Sequence, residues 1–180
     1  MKNKILIVYS TYYFDEITSK MLEISKKKLK EHEDFVEFDI SVAPGSFDIP
    51  FQIARSIKVD TIDLKEQVGS FEGKDKKTIR DNILQMSKLS QLNLNNEPRY
   101  RGYLALGCII KGKTINHQAI STAIFTNLQK ISIENTIPIA NGVFNANDMK
   151  EAKLKLNRCT NHAVETLLFL LSKEEDEKKK

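Results

Sequence analysis

The order of segments along this chain predicts one α/β domain, a three-layer α/β/α arrangement in which helices cover both faces of a parallel sheet. Four short apolar segments alternate with segments of helical periodicity, in the order βαβαβαβα. Residues 104–110 carry no charge, which is typical of a strand buried on both faces. The 180 residues suffice for one ordinary domain and are too few for two.

The first half of the chain contains two strands and two helices of this pattern. Residues 4–9 form an apolar run rich in β-branched side chains, which predicts the first strand. From Asp15 onward apolar residues recur near helical spacing, and two acidic residues occupy the first turn, where the helix dipole favours them. Residues 35–40 alternate apolar and acidic side chains and predict a second strand. A loop with two prolines follows, and a helix is predicted from Pro50 to about residue 58.

The second half completes the alternation. Strands are predicted at residues 103–110 and 137–144, with a helix at residues 117–131 between them. Asn147 and Asp148 offer a cap for a helical segment that begins near residue 149. A separate final helix is predicted at residues 161–171.

Two segments fall outside the regular pattern. Residues from about 60 to 99 are polar and rich in lysine, and they predict an insertion, partly mobile, with one amphipathic helix near residues 79–86. Residues 175–180 are charged throughout and predict a disordered tail. The domain is therefore expected to span residues 1–174.

Composition narrows the class of protein. The net charge of +4 is modest, and the lysine clusters lack the aromatic or arginine neighbours of a nucleic-acid surface, so we expect no nucleic-acid partner. No window approaches the roughly 18 apolar residues of a membrane span, and the N-terminus lacks the features of a signal peptide, so no membrane partner is expected. Cys108 and Cys159 have no metal-ligand spacing. These features together favour a cytoplasmic protein.

Residues 107–114 fit the pattern G-x-x-x-x-G-K-[ST] of a phosphate-binding P-loop. A nucleotide-binding P-loop is the less favoured interpretation, because the residues between its glycines include three apolar ones that belong to the strand. The strand at residues 137–144 also contains no acidic residue to hold Mg²⁺. A weaker prediction stands, in which the amides of residues 112–114 and the Thr114 hydroxyl bind a phosphate at a strand end.

Three stretches of the chain resemble one enzyme family. Residues 44–50 read PGSFDIP and resemble the pattern P-G-[AS]-[FL]-[ED]-I-P, and residues 104–114 resemble A-L-G-x-V-I-x-G-x-T. Residues 138–143 resemble P-[IV]-x-x-G-[IV], and residues 161–165 weakly echo N-K-G-x-E. The family is lumazine synthase, an enzyme of riboflavin biosynthesis with a flavodoxin-like fold. The resemblance does not account for most of the predicted insertion.

The resemblance implies an activity and an assembly. Lumazine synthases condense 5-amino-6-(D-ribitylamino)uracil with 3,4-dihydroxy-2-butanone 4-phosphate to 6,7-dimethyl-8-ribityllumazine, with release of phosphate and water. The steps are proton transfers and an elimination, so the resemblance implies no metal or organic cofactor. It also implies a homopentamer or a higher homo-oligomer, with active sites between neighbouring subunits. The partners would then be two small-molecule substrates and further copies of this chain.

The resemblance also implies roles for particular residues. The residues that would bind the pyrimidine and its ribityl chain are Tyr13, Ser46, Phe47, Asp48, Cys108, Ile109, Ile110 and Asn141. Among them Tyr13 would stack on the ring, and Asp48 would accept a hydrogen bond from a hydroxyl group. The Cys108 to Ile110 positions match a strand whose backbone edge pairs with the ring. The residues that match the family's phosphate site are Lys113 and Thr114 in the loop, with Lys155 or Arg158 as the cationic anchor.

Two positions depart from the family pattern. Asn116 stands where the family has a histidine that is proposed to carry protons, and an amide cannot do so at neutral pH. His117 follows it, about 100° further around a helix. Lys155 stands where the family has arginine, and Arg158 lies one helical turn beyond. Asn116 and His117 are the candidate catalytic residues, and a weakly active relative that binds a lumazine or flavin, or acts as a structural assembly, is the alternative.

Overall fold

A computed structural model describes residues 2–66 and 98–178 of the chain, and only the backbone at residues 60–66 and 175–178. The chain divides into two compact units, one of residues 1–54 with 100–180 and one of residues 55–99. The sheet and the site considered below belong to the first unit. The amphipathic helix predicted near residues 79–86 lies outside the described residues, as does most of the predicted insertion.

The first unit contains a four-stranded sheet in which every pair of neighbouring strands is parallel. Its strands are β1 (Asn3–Ser10), β2 (Val36–Ala43), β3 (Gly102–Ile110) and β4 (Ile139–Ala146), in the spatial order β2-β1-β3-β4. The two central strands carry the most apolar segments, and β3 is buried from its first residue to Ile109. Crossovers between parallel strands require helices on the faces of the sheet, so the predicted three-layer, flavodoxin-like α/β fold is confirmed.

Within the part of the chain that the structure describes, four α-helices follow the four strands in turn, as the alternation predicted. They are α1 (Ser19–Lys30), α2 (Ile49–Glu66), α3 (Asn116–Asn135) and α4 (Met149–Lys178). One turn of π-helix, Phe14–Thr18, leads into α1, and a 3₁₀ turn, Ser46–Asp48, leads into α2. Helix α2 continues past the predicted end near residue 58 into the segment that was predicted as an insertion.

The end of the chain differs from the prediction, because one helix of 30 residues replaces a short helical segment and a separate final helix. Residues 149–178 contain no glycine or proline. Their buried stripe is continuous, through Ala152, Leu156, Thr160, Val164, Leu167 and Leu171. Backbone helix also continues to Lys178, into the segment that the sequence predicted as a disordered tail.

The predicted cap at the start of α4 is confirmed. Asp148 Oδ1 accepts a hydrogen bond of 2.7 Å from the Glu151 amide, and Glu151 Oε2 accepts one of 2.7 Å from the Asn147 amide. This reciprocal arrangement satisfies amides that the helix itself leaves without partners. None of the helices in the described part of the chain combines the length and the apolar character needed to cross a membrane.

Candidate functional site

A cleft of about 400 Å³ opens at the carboxyl ends of the two central strands. The chain passes from β1 outward to β2 and then back across to β3, so β1 and β3 flank the point where the strand order reverses. Ligands of open α/β sheets bind at this point. The cleft is lined by Tyr12, Tyr13, Gly45, Ser46, Phe47, Cys108, Ile109, Ile110, Gly112, Thr114, Asn116, His117 and Ile120.

An aromatic pair forms the side of the cleft that follows β1. Ser10 Oγ accepts a hydrogen bond of 3.2 Å from the Tyr12 amide, and Tyr13 adopts the left-handed backbone conformation with φ 59°. The two rings meet edge to face, with centroids 4.7 Å apart and an angle of 82° between planes. Tyr13 is half-buried against the core, and burial raises the pKa of its hydroxyl, as do Tyr12, Cys108 and Glu16 to a lesser extent. Tyr12 stays 63% exposed.

The loop after β2 forms the second side and is tied to the loop after β1. The Thr11 amide donates a hydrogen bond of 2.9 Å to the Ala43 carbonyl oxygen. The Thr11 hydroxyl donates one of 3.0 Å to the Pro44 carbonyl oxygen. Within the loop, Asp48 Oδ2 accepts a 3.0 Å hydrogen bond from the Gly45 amide. The predicted hydroxyl acceptor therefore closes its own turn, and Asp48 does not line the cleft.

Ser46 anchors this loop to the central strand. Its hydroxyl donates to the Cys108 carbonyl oxygen at 3.3 Å, and both residues are buried. Gly107 makes the approach possible, because a Cβ at that position would lie 2.6 Å from Ser46 Oγ. Phe47, next along the loop, is 61% exposed and lines the cleft.

The Cys108 side chain is part of the core that packs beneath the cleft. Burial raises the pKa of its thiol to about 12, with Cys159 adding to the increase and Lys155 opposing it. The thiol is therefore protonated at neutral pH and cannot act as a nucleophile. Cys108, Ile109 and Ile110 are the last residues of β3, so they present the end of a strand to a ligand.

The loop between β3 and α3 forms the third side. Residues 111–116 are exposed, and no atom lies within 4 Å of a Cβ built on Gly112. Helix α3 begins at Asn116 without a side-chain cap. The Gln118 amide donates to the Ile115 carbonyl oxygen at 2.9 Å, which leaves the amides of residues 116 and 117 for an anion. Thr114 lines the cleft, whereas Lys113 is exposed and does not.

His117 and Asn116 both lie at the cleft, in the first turn of α3. His117 Nδ1 lies 3.0 Å from the Thr114 carbonyl oxygen. Since a carbonyl oxygen only accepts, Nδ1 is the donor in this contact, and in the neutral tautomer that donates from Nδ1 it is Nε2 that has the lone pair. The exposed Asn116 side chain ends in an amide, which has no basic nitrogen and does not carry a proton at neutral pH.

Three predicted site residues lie on β4 and α4 and do not line the cleft of their own chain. Asn141 Oδ1 accepts a 2.9 Å hydrogen bond from the Val143 amide. Lys155 Nζ lies 2.5 Å from Glu151 Oε1 and donates to the Asn145 carbonyl oxygen at 3.2 Å. Arg158 is exposed. Lys113, Asp48 and these three are thus the predicted residues that the cleft does not bring together.

The sequence did not predict three of the lining residues, Tyr12, Gly45 and Ile120. Gly45 belongs to the PGSFDIP motif, and Ile120 lies one turn beyond Asn116. The only signal for Tyr12 was its place beside Tyr13 in a polar-aromatic turn.

The fold and the cleft define an α/β protein with a small-molecule site at the switch point of its sheet. Among the side chains that the structure describes, at residues 2–59 and 98–174, no three from His, Cys, Asp or Glu group as metal ligands would. Residues 82–172 match the sequence model of the family described as 6,7-dimethyl-8-ribityllumazine synthase. The chain therefore belongs to the lumazine synthase family of riboflavin biosynthesis.

Individual relatives carry the same name at low identity. A 6,7-dimethyl-8-ribityllumazine synthase of Buchnera aphidicola is 41% identical over 59 residues, which cover 33% of this chain and 37% of that protein. One from Afipia carboxidovorans is 26% identical over 147 residues, covering 82% of this chain and 69% of the relative. One from Agrobacterium fabrum is 22% identical over 153 residues, covering 85% and 80%.

Proposed function

We propose that this protein is an active lumazine synthase. It condenses 5-amino-6-(D-ribitylamino)uracil with 3,4-dihydroxy-2-butanone 4-phosphate to 6,7-dimethyl-8-ribityllumazine, with release of phosphate and water. The proposed reaction needs no metal or organic cofactor and takes place in the cytoplasm, where unpaired thiols such as Cys108 and Cys159 persist.

The observation that carries the proposal is the convergence of three loops on one cleft. Three aromatic side chains, a buried strand end and an uncapped helix N-terminus meet there, contributed by the loops after β1 and β2, by β3 and by α3. Aromatic rings suit a planar heterocycle, a strand end offers backbone partners for its polar edge, and free amides suit a phosphate. Holding both substrates in this geometry converts a bimolecular reaction into an effectively unimolecular one. This effect can contribute most of the acceleration of the condensation.

His117 is the proton carrier in the proposed mechanism. Formation of the Schiff base releases water, elimination releases phosphate with the bonding electron pair, and ring closure releases water again. Each step moves a proton, which Nε2 of His117 can accept and return while Nδ1 stays bound to the Thr114 carbonyl oxygen. Thr114 and the first amides of α3 would bind the departing phosphate.

A second copy of the chain would complete the site. Asn141, Lys155 and Arg158 do not line the cleft of their own chain, so in the proposal they act on the cleft of a neighbouring subunit. The assembly would be a homopentamer or a higher homo-oligomer. Arg158, which is exposed, and Lys155 would then add positive charge near the phosphate.

The direct test is product formation. Purified protein is incubated with both substrates, and 6,7-dimethyl-8-ribityllumazine is followed by its fluorescence against the uncatalysed condensation. We expect enzyme-dependent formation of product, and size-exclusion chromatography with light scattering should show an oligomer. A rate equal to the uncatalysed one would overturn the proposal.

One observation favours a second candidate. Asn116 occupies the position of the family's histidine, so the chain could be a weakly active relative that binds a lumazine or flavin, or a structural assembly. Retained binding of 6,7-dimethyl-8-ribityllumazine without catalysis would support this candidate.

A further inference from the structure

Ser121 is the buried residue closest to the start of α3, with 4% of its surface exposed. Its hydroxyl oxygen contacts two groups. One is the carbonyl oxygen of His117, one turn back along the same helix, and the other is Asn145 Oδ1 on β4, at 2.7 Å. Asn145 pairs in the sheet with Ile109, which lines the cleft. A short chain of polar groups thus connects β4 to the turn that carries His117.

The direction of the hydrogen bonds in this chain follows from counting protons. The Ser121 hydroxyl has one proton, and a carbonyl oxygen can only accept, so this proton goes to the His117 carbonyl. The oxygen and nitrogen of an asparagine amide are nearly equal in shape, and half a turn of the amide exchanges them. All three groups are satisfied when Asn145 Nδ2 donates to Ser121 Oγ and Ser121 donates to the His117 carbonyl oxygen.

These contacts attach the first turn of α3 to the sheet. Residues 111–116 are exposed, His117 is half-buried, and the helix begins without a side-chain cap. The apolar residues that α3 buries, Ile124 and Leu128, lie further along the helix than Ser121. The position of the first turn therefore depends mainly on the contact between Ser121 and Asn145.

We propose that Asn145 is a positioning residue for proton transfer, because through Ser121 it fixes the backbone of His117 and so directs the imidazole towards the cleft. The inference rests on the proposed function, since it takes His117 to be the proton carrier. Asn145 itself does not line the cleft. Its loss should therefore lower kcat and leave KM for both substrates nearly unchanged.

The test is steady-state kinetics with both substrates on single and double variants. Asn145→Ala removes the amide, and Ser121→Ala removes the hydroxyl that joins it to His117. Each change is also made in a His117→Gln background, where no imidazole remains to be positioned. Asn135→Ala is the matched control, because Asn135 Nδ2 donates to the Ile131 carbonyl oxygen at 2.8 Å near the opposite end of the same helix. Circular dichroism and urea unfolding measure the folding of every variant.

Asn145→Ala and Ser121→Ala should each lower kcat by as much as about 100-fold, the cost of displacing a reacting group by roughly 1 Å. Each loss should be smaller than that in His117→Gln, since both residues act through the imidazole. Combining the two changes should cost no more than either alone, and neither should lower kcat further in the His117→Gln background. Asn135→Ala should keep the wild-type kcat.

A purely structural role gives a different result, in which kcat falls by the same factor in both backgrounds, and this result overturns the proposal. An unchanged kcat in Asn145→Ala overturns it as well, and both results leave the proposed function intact if the wild type makes product. Should Asn145→Ala fail to fold, Ser121→Ala decides the same comparison. A wild-type protein that makes no product overturns both proposals.

Discussion

Ser46 Oγ lies 3.3 Å from the carbonyl oxygen of Cys108, so the loop after β2 is bound to the strand at the switch point of the sheet. This contact aligns Phe47 with the cleft. It depends on the glycine before Cys108, whose missing Cβ leaves space for the serine hydroxyl.

Gly107→Ala should therefore destabilise the fold and displace this loop. The new methyl group would meet Ser46 Oγ at 2.6 Å and Ile49 Cδ1 at 3.3 Å, and overpacking of this kind typically costs about 1–3 kcal/mol. Urea unfolding measures the loss, as a lower midpoint at unchanged slope. Gly112→Ala is the matched control for stability, since nothing lies within 4 Å of its Cβ. Equal midpoints for the two variants would contradict the packing argument.

His117→Gln should lower kcat about 10²- to 10⁴-fold, the usual contribution of a proton carrier, with a smaller effect on KM. Asn116→His should raise kcat, because it adds an imidazole at the edge of the same cleft. Steady-state kinetics with both substrates measures each change. His32→Gln, in the exposed turn after α1, controls for general effects of removing a histidine. Full activity in His117→Gln would show that the proton is carried by another group.

Glu151 should make stability depend on acid pH. The side-chain hydrogen bond with Lys155 and the Asn147 amide hold the pKa of this carboxyl below its ordinary value of 4.5. A depressed folded-state pKa means that the stabilisation is complete above pH 4.5 and is lost as the pH falls through the lower folded value. Thermal unfolding between pH 7 and pH 3 should show a smaller decline in Tm for Glu151→Gln than for the wild type. Parallel curves would mean that the contact does not contribute.

Cys108 should resist alkylation while the protein is folded. With a pKa of about 12 instead of 9.0, its thiolate fraction at pH 8 is about 10³-fold below that of an ordinary thiol. Mass spectrometry after iodoacetamide treatment measures labelling in a Cys159→Ser background, where Cys108 is the remaining cysteine. Labelling should be fast in urea and nearly absent without it. Similar rates in both conditions would place the thiol in solvent.

Much of the fold was predictable because its determinants are local in sequence. The uncharged run at residues 104–110 and the alternation of segments were enough to predict a parallel sheet. The division of α4 into two helices was wrong because its buried stripe includes a polar residue. Thr160 is fully buried, and its hydroxyl donates to the Leu156 carbonyl oxygen at 2.6 Å, which a hydropathy pattern does not reveal.

The site was less predictable, because its geometry depends on contacts between distant segments. The motifs located the loops, but they did not reveal the left-handed backbone of Tyr13 or the exposure of Tyr12. The Asp48 carboxylate is held by a hydrogen bond from the Gly45 amide. Lys155 donates to the carbonyl oxygen of Asn145, and that contact depends on where β4 ends. None of these relationships has a signature in the spacing of residue types.

The fit between Gly107 and Ser46 also constrains how this chain can change over generations. A Cβ at position 107 costs less once the Ser46 hydroxyl has gone, because that oxygen, at 2.6 Å, is the nearest atom it would meet; the next nearest, Ile49 Cδ1 and Ser46 Cβ, lie at 3.3 Å. If position 107 changes first, the intermediate sequence has a Cβ 2.6 Å from Ser46 Oγ and is strained. The order in which the two substitutions occur therefore matters. Loss of the hydroxyl at position 46 before a Gly107→Ala change is therefore the less costly order of the two.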